Sequence, residues 1–283
     1  MITTNWSLPA APTGLRHTRT SLADDLRALG VRPGAVLLVQ SACTNLGDVK
    51  TGADDDGVEG VLLAAIQDVI GPDDGTIVVL ASTAENSTTS RAYQRLTAGM
   101  TPAEITGFQA AMKPFDPDDS PSTGVGRFVE HVRTRTGAVR SAHPQSSFAA
   151  LGPLAETLMA DHAPDCHLGP RSPVAKLLGE PSSAALMIGV GPGCCTAYHY
   201  AEYLVADPPL KEYRCVVLRD GARAWYEYED VDLDDADFDE LGRDLESEQP
   251  SLMRRGRLGD AQTRLLDLGG AVAFAQQWLG RHR

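Results

Sequence analysis

The chain has 283 residues, 42% hydrophobic and 22% charged, with a net charge of −13, which gives room for one large α/β domain or two small ones. The acidic balance disfavours nucleic acid, whose phosphates need a basic surface, and suits a cationic small substrate. No apolar run approaches the roughly 20 residues of a membrane span. Five cysteines, at 43, 166, 194, 195 and 215, are odd in number and lack CxxC spacing, so neither a disulfide framework nor a zinc ribbon is expected.

The N-terminus is polar, rich in Pro and Thr, and without the basic flank and apolar stretch of a secretory signal. Residues 1–19 are expected to form a flexible leader, residues 20–283 a single domain, and the protein to reside in the cytoplasm. Ser21–Asp24 resembles a capping box, with a helix following to Leu29 and a stop at Gly30. Ala35–Gln40 and Thr76–Leu80 are apolar runs of strand length, and Val58–Ile70 between them has helical spacing ended by Gly71-Pro72. Ala84–Phe115 is polar and irregular, either a flap over a substrate or a helix pair. Helices are expected from Phe128 to Arg135, from Pro153 to Ala160, and after Ser172, where Pro173 takes the first helical position. Short strands are expected at Ser147–Leu151 and Ala184–Val190, the latter leading into a Gly-rich turn and a helix from about Thr196. Tyr213–Leu218 and Ala222–Tyr228 flank Arg219-Asp220-Gly221 as a hairpin. Glu227–Glu248 is acidic, with Arg243 its only basic residue, and fits either a solvated helical face or the rim of a cation site. Gly259–Arg281 is expected to be an amphipathic helix. The alternation of strand and helix patterns predicts an α/β layered fold.

Two segments concentrate chemistry. In Gly189-Val-Gly-Pro-Gly-Cys-Cys-Thr-Ala-Tyr-His-Tyr-Ala-Glu202 a strand enters a Gly-rich turn and then a helix, whose N-terminus suits an anion or polar groups at a cleft. His199 and Glu202, three apart, share one helical face, and a carboxylate beside an imidazole can orient it as a general base. The turn is no dinucleotide fingerprint, because Cys194 stands where GxGxxG needs glycine. In Arg140-Ser-Ala-His-Pro-Gln-Ser-Ser-Phe148, Pro144 keeps His143 out of helical geometry, and the polar side chains fit a binding loop and a structural turn equally.

Taken together, Phe115-Asp-Pro117, Pro121–Gly124, Arg140-Ser-x-His-Pro-x-x-Ser-Phe148, Ser172-Pro173 and Thr196-x-x-His199-x-x-Glu202 resemble the aminoglycoside 3-N-acetyltransferase family in order and spacing. The resemblance runs from about Ser21 to Ala206. It implies a central mixed β-sheet flanked by helices, distinct from the GNAT fold, and an acetyl-CoA-dependent transfer to an amine of an aminocyclitol antibiotic without a metal. By position it implies His199 and Glu202 as catalytic base and acidic partner. It implies Ser41, Ala42, Cys43 and Thr44 near the coenzyme, with Thr83, Arg140, His143 and Ser147 in the same cleft and Ser41 or Thr83 as oxyanion donors. The implied partners are a cationic small-molecule amine and coenzyme A, with a homodimer as an option. The chain departs from the family at Gln40, where a His is usual, and at Leu80-Ala-Ser-Thr83, where Pro-Thr-aromatic-Thr is usual. Two rival classes stand beside this reading. One is a Cys-His hydrolase using Cys194 or Cys195, and the other a ligand-binding relative without chemistry; no GxSxG elbow supports a serine hydrolase.

Overall fold

A computed structural model describes residues 16–53 and 55–283. The helices are α1 (Arg19–Leu29), α2 (Gly57–Ile70), α3 (Arg91–Thr97), α4 (Pro102–Ala111), α5 (Arg127–Arg133), α6 (Ala155–Met159), α7 (Pro173–Leu178), α8 (Tyr198–Glu202), α9 (Phe238–Glu248) and α10 (Leu268–His282). The strands are β1 (Val36–Ser41), β2 (Thr76–Leu80), β3 (Val139–Arg140), β4 (Phe148–Leu151), β5 (Ser183–Ile188), β6 (Leu210–Arg219), β7 (Ala222–Val231), β8 (Met253–Leu258) and β9 (Ala261–Asp267).

Seven strands form one sheet in the order β3-β4-β2-β1-β5-β9-β8, the expected mixed sheet. The central trio β2-β1-β5 is parallel, and both flanks are antiparallel. Side chains alternate across each strand. On one face Val36, Leu38, Val78, Phe148, Ala185 and Met187 pack under α6–α10, around the fully buried Trp278. On the other, Leu37, Val39, Ile77, Val79 and Leu186 pack under α1, α2 and α5. Both faces of the parallel strands are covered, which is why these strands read as unbroken apolar runs.

Four expectations change. The first helix starts earlier: the Thr18 hydroxyl accepts the Ser21 N–H and Ser21 Oγ accepts the Thr18 N–H, so the capping box is Thr18–Ser21 and not Ser21–Asp24. Residues 1–15 of the expected leader lie outside the described residues, but residues 16–19 do not behave as one. His17 bridges to Val49, its N–H donates to the Asp48 carbonyl, and Thr18 caps α1. Gly259–Arg281 is not one helix: 261–267 is strand, sandwiched between β5 and β8, and Asp267 then caps α10 through the Gly270 N–H at 2.6 Å. The acidic stretch divides between the end of β7, a loop and α9.

The polar 84–115 segment contains the helix pair α3 and α4, neither built into the main core. It is stitched to the β6–β7 hairpin, where the Asn86 carboxamide both donates to the Val216 carbonyl (2.8 Å) and accepts its N–H (3.1 Å). The hairpin turns on Asp220 and Gly221, both at positive φ, as a two-residue turn of the Asp-Gly kind requires.

Candidate active site

Three parallel strands end side by side, with β1 flanked on one side by β2, the next strand in the chain, and on the other by β5, which the chain reaches only after β3 and β4. Open α/β sheets bind ligands at such a switch point, beyond the carboxyl ends of the strands. A cavity of about 720 Å³ opens there. Its floor is Leu80 from β2, Gln40 and Ser41 from β1, and Val190 just past β5. Its walls come from Ala42–Thr44, from Gly124–Arg127, from Gly193–Thr196, and from His199, Asp235 and Phe238.

The loops after β1 and β5 are locked together. Asn45 Nδ2 donates to the Gly189 carbonyl at 2.7 Å, and the Ala42 N–H donates to the Ile188 carbonyl at 2.9 Å. Gly189 has φ +66°, and a Cβ there would stand 2.8 Å from that of Asn45, so both conformation and space require glycine. A second close approach sets the far wall. A Cβ on Gly193 would lie 2.5 Å from the Asp239 nitrogen, and one on Gly242 would strike the Pro192 carbonyl. Gly242→Ala is expected to cost about 1–3 kcal/mol by overpacking and to disturb Phe238. Urea unfolding of the variant, at unchanged m-value, measures it.

His199 and Glu202 come together as the spacing predicts, on α8, though that helix has only five residues and starts at Tyr198 rather than Thr196. It is too short to act as an anion site. His199 Nδ1 and Glu202 Oε2 are 2.6 Å apart. A carboxylate only accepts, so Nδ1 carries a proton, and in the neutral ring Nε2 is the nitrogen with the free lone pair. The Glu202 side chain is 4% exposed and has two further donors, the Asp234 N–H at 3.0 Å and Arg283 Nη1 at 2.5 Å. Phe238 packs against the imidazole with ring centroids 4.7 Å apart, and the Arg283 guanidinium lies over the outer region of the same phenyl ring. The dyad is therefore held by the Asp234 N–H, Arg283 and Phe238, and His199 is its member that lines the cavity.

Ser41, Ala42, Cys43 and Thr44 all line this cavity. Thr83, Arg140, His143 and Ser147 do not. Arg140 donates to the carbonyls of Ala81 (2.8 Å) and Ser120 and to Ser147 Oγ (3.0 Å), while Ser147 Oγ donates to the Ala81 carbonyl (2.8 Å). Their polar atoms are spent on the backbone where β2 runs out. Thr83 donates to the Pro144 carbonyl at 2.6 Å and borders a separate cavity of about 440 Å³ with Leu96, Phe108, Met112 and Phe115.

His143 is fully buried between His162 and His167, with ring centroids 4.8 and 4.5 Å away. Burial, then the neighbouring imidazoles, push it well below the ordinary histidine range. Burial likewise lowers His162 to about 4 and His167 to about 3. These rings fold neutral, while in the unfolded chain they titrate near about 6.5. Between roughly pH 6.5 and 4 the unfolded state binds more protons, so stability is complete above that window and is lost as pH falls through it. We expect the melting temperature to drop steadily from pH 7 to 4. A flat profile in differential scanning fluorimetry would contradict this.

The thiols at the cavity are held protonated. Burial raises Cys43 to about 11 and Cys195 to about 12, and raises Cys194 as well. A thiolate nucleophile needs the opposite shift. Cys194→Ser is therefore expected to keep wild-type turnover in a coenzyme-release assay, and loss of turnover would revive the Cys-His reading.

The aminoglycoside 3-N-acetyltransferase family model matches residues 38–280. The chain belongs to the aminoglycoside 3-N-acetyltransferase family. Aminoglycoside N(3)-acetyltransferase VII of Streptomyces paromomycinus is 32% identical, with 94% of each chain covered. The crystal structure of YokD from Bacillus subtilis superposes with a TM-score of 0.86 at 28% identity over 95% of each chain. The structure of AAC-IIIb binary with CoASH superposes with a TM-score of 0.78 at 29% identity, covering 94% of this chain and 97% of that one. Like its relatives, this member of the acetyltransferase family is an enzyme of group transfer.

Sequence reasoning missed several parts of the site. Asp235 and Phe238 lie in the acidic stretch, whose reading as a cation-site rim did point toward them. Gly124 closes one of the segments that carried the resemblance, but 125–127 and Arg283 carried no local signal, because only the tertiary fold brings them to the cavity and the dyad.

Proposed function

We propose that this chain transfers the acetyl group of acetyl-CoA to an amine of an aminoglycoside, at the 3-amino group of the 2-deoxystreptamine ring, with His199 as general base. The His199–Glu202 dyad at the wall of the switch-point cavity carries this reading. An ammonium has no lone pair, so the acceptor must lose a proton before or during attack, and Nε2 of His199 is the group placed to take it. Glu202 orients the ring and stabilises the imidazolium that forms. Ser41 to Thr44 line the cavity and flank the path expected for the coenzyme. Holding both reactants in line supplies much of the rate.

One observation favours a second acceptor class, another amine-bearing natural product. The two carboxylates lining the cavity are each already paired, Glu59 with Arg127 at 3.4 Å and Asp235 with Arg91 at 2.6 Å. A polyammonium antibiotic would have to compete with those arginines. Release of free thiol from acetyl-CoA, followed across aminoglycosides and simple amines, separates the two. Turnover confined to non-aminoglycoside amines would sink the first reading, and coenzyme binding with no thiol release would favour the non-catalytic relative.

A further inference from the structure

The cavity floor contains one discordant residue. Along β1, Val36, Leu38 and Gln40 point to the same face, the apolar layer beneath α8 and α9. Leu80 and Val190, the floor residues from the strands on either side, are apolar and pack against that layer. Gln40 sets a carboxamide between them. Both of its polar atoms, Nε2 and Oε1, are buried and have no hydrogen-bond partner among the described residues. No other cavity-lining side chain among those residues has buried, unpartnered polar atoms. Leaving a buried amide unmatched costs about 1–3 kcal/mol, and such a group in a native fold calls for an explanation. A leucine of nearly the same shape would match the layer better.

We propose that Gln40 is the side-chain oxyanion donor of the acyl transfer: its Nε2–H hydrogen-bonds the thioester carbonyl oxygen, and its Oε1 accepts an N–H of the incoming amine. The inference rests on the acetyl-transfer reading above. The amine lone pair forms the C–N bond while the carbonyl π pair moves onto oxygen. Nε2–H of Gln40 holds the resulting oxyanion in the cavity that His199 also lines. Collapse restores the C=O bond and expels the coenzyme sulfur with the C–S pair. The amine proton passes to Nε2 of His199 and from there to the thiolate, and Gln40 ends as it began. Side-chain amides aimed at developing negative charge contribute about 10²–10³ in turnover elsewhere.

The test uses Gln40→Leu, which keeps shape and removes both hydrogen-bonding groups. In the full-length protein, kcat is expected to fall about a hundredfold with KM for acetyl-CoA rising only about fivefold, while the melting temperature stays level or rises. A merely structural glutamine would show the reverse, a lower melting temperature with chemistry retained, and that result overturns the proposal. A second measurement needs no acceptor. Isothermal titration compares the ketone isostere of acetyl-CoA, with CH₂ replacing the thioester sulfur, against the analogue in which the carbonyl too is CH₂. The wild type is expected to prefer the ketone by about fivefold or more, and Gln40→Leu to bind both alike. Equal discrimination in the two proteins overturns the proposal. Absence of wild-type turnover with aminoglycosides would count against the acceptor reading alone, since the carbonyl comparison is independent of it.

Discussion

Replacing His199 with alanine is expected to lower coenzyme-A release by at least about a hundredfold, with the fold intact. The imidazole is partly exposed at the cavity and its Nδ1 is committed to Glu202. Under the proposed mechanism, removing it takes away the acceptor of the amine proton, and no other histidine among the described residues lines the cavity. What remains is acceleration from holding two reactants together, which the variant keeps. KM for acetyl-CoA should therefore hardly move while kcat falls. Raising the pH should restore part of the rate in the variant, because more of the acceptor then arrives already deprotonated. Near-wild-type turnover in His199→Ala, at saturating acceptor, would remove His199 from the mechanism.

Glu202→Ala is expected to lose both activity and stability. Its carboxylate is buried and satisfies three donors: His199 on the same helix, and the Asp234 N–H and Arg283 from farther along the chain. Truncating one member of a buried pair leaves the others uncompensated, at a cost of about 3–5 kcal/mol. Here Arg283 keeps Asp237 as a second partner, which places the expected loss at the lower end, about 3 kcal/mol. Chemical denaturation reads this directly. Glu202→Gln separates the two roles. It keeps the shape and one acceptor oxygen, for the Asp234 N–H and Arg283, but has no charge and presents an NH2 to His199, so it should recover part of the stability and little of the turnover. Equal recovery of both would reduce Glu202 to a structural residue.

Much of the fold could be read locally because the parallel strands β1, β2 and β5 are buried on both faces and, beyond the first residues of β2 and β5, carry no polar interruption until Gln40. The failures have physical reasons. Met253–Leu258 carries three arginines because it is the outermost strand, where charge protects an open edge, so it does not look like a strand. Ala261–Asp267 has apolar residues on both sides, compatible with helix or strand, and only its pairing with β5 and β8 decides. The dyad was legible because its members are three residues apart. The Arg140–Ser147 loop misled because exposed and buried polar residues look alike in sequence. These side chains close off carbonyls left by β2, at Ala81 above all. Arg283 joins Glu202 from 81 residues away, and no local pattern announces such a contact.

The pairing of β1 with β5 has a kinetic consequence. Val36 stands beside Ser183, and Ser41 beside Ile188, so the cavity floor is closed by residues roughly 150 positions apart in the chain. Loop closure of that span is entropically slow compared with forming α2 or the β6–β7 hairpin. Gln40 and His199 therefore share a cavity only once most of the polypeptide is in place. During refolding from denaturant, catalytic competence should lag behind the recovery of helical signal, making enzyme activity a late clock for completion of the fold.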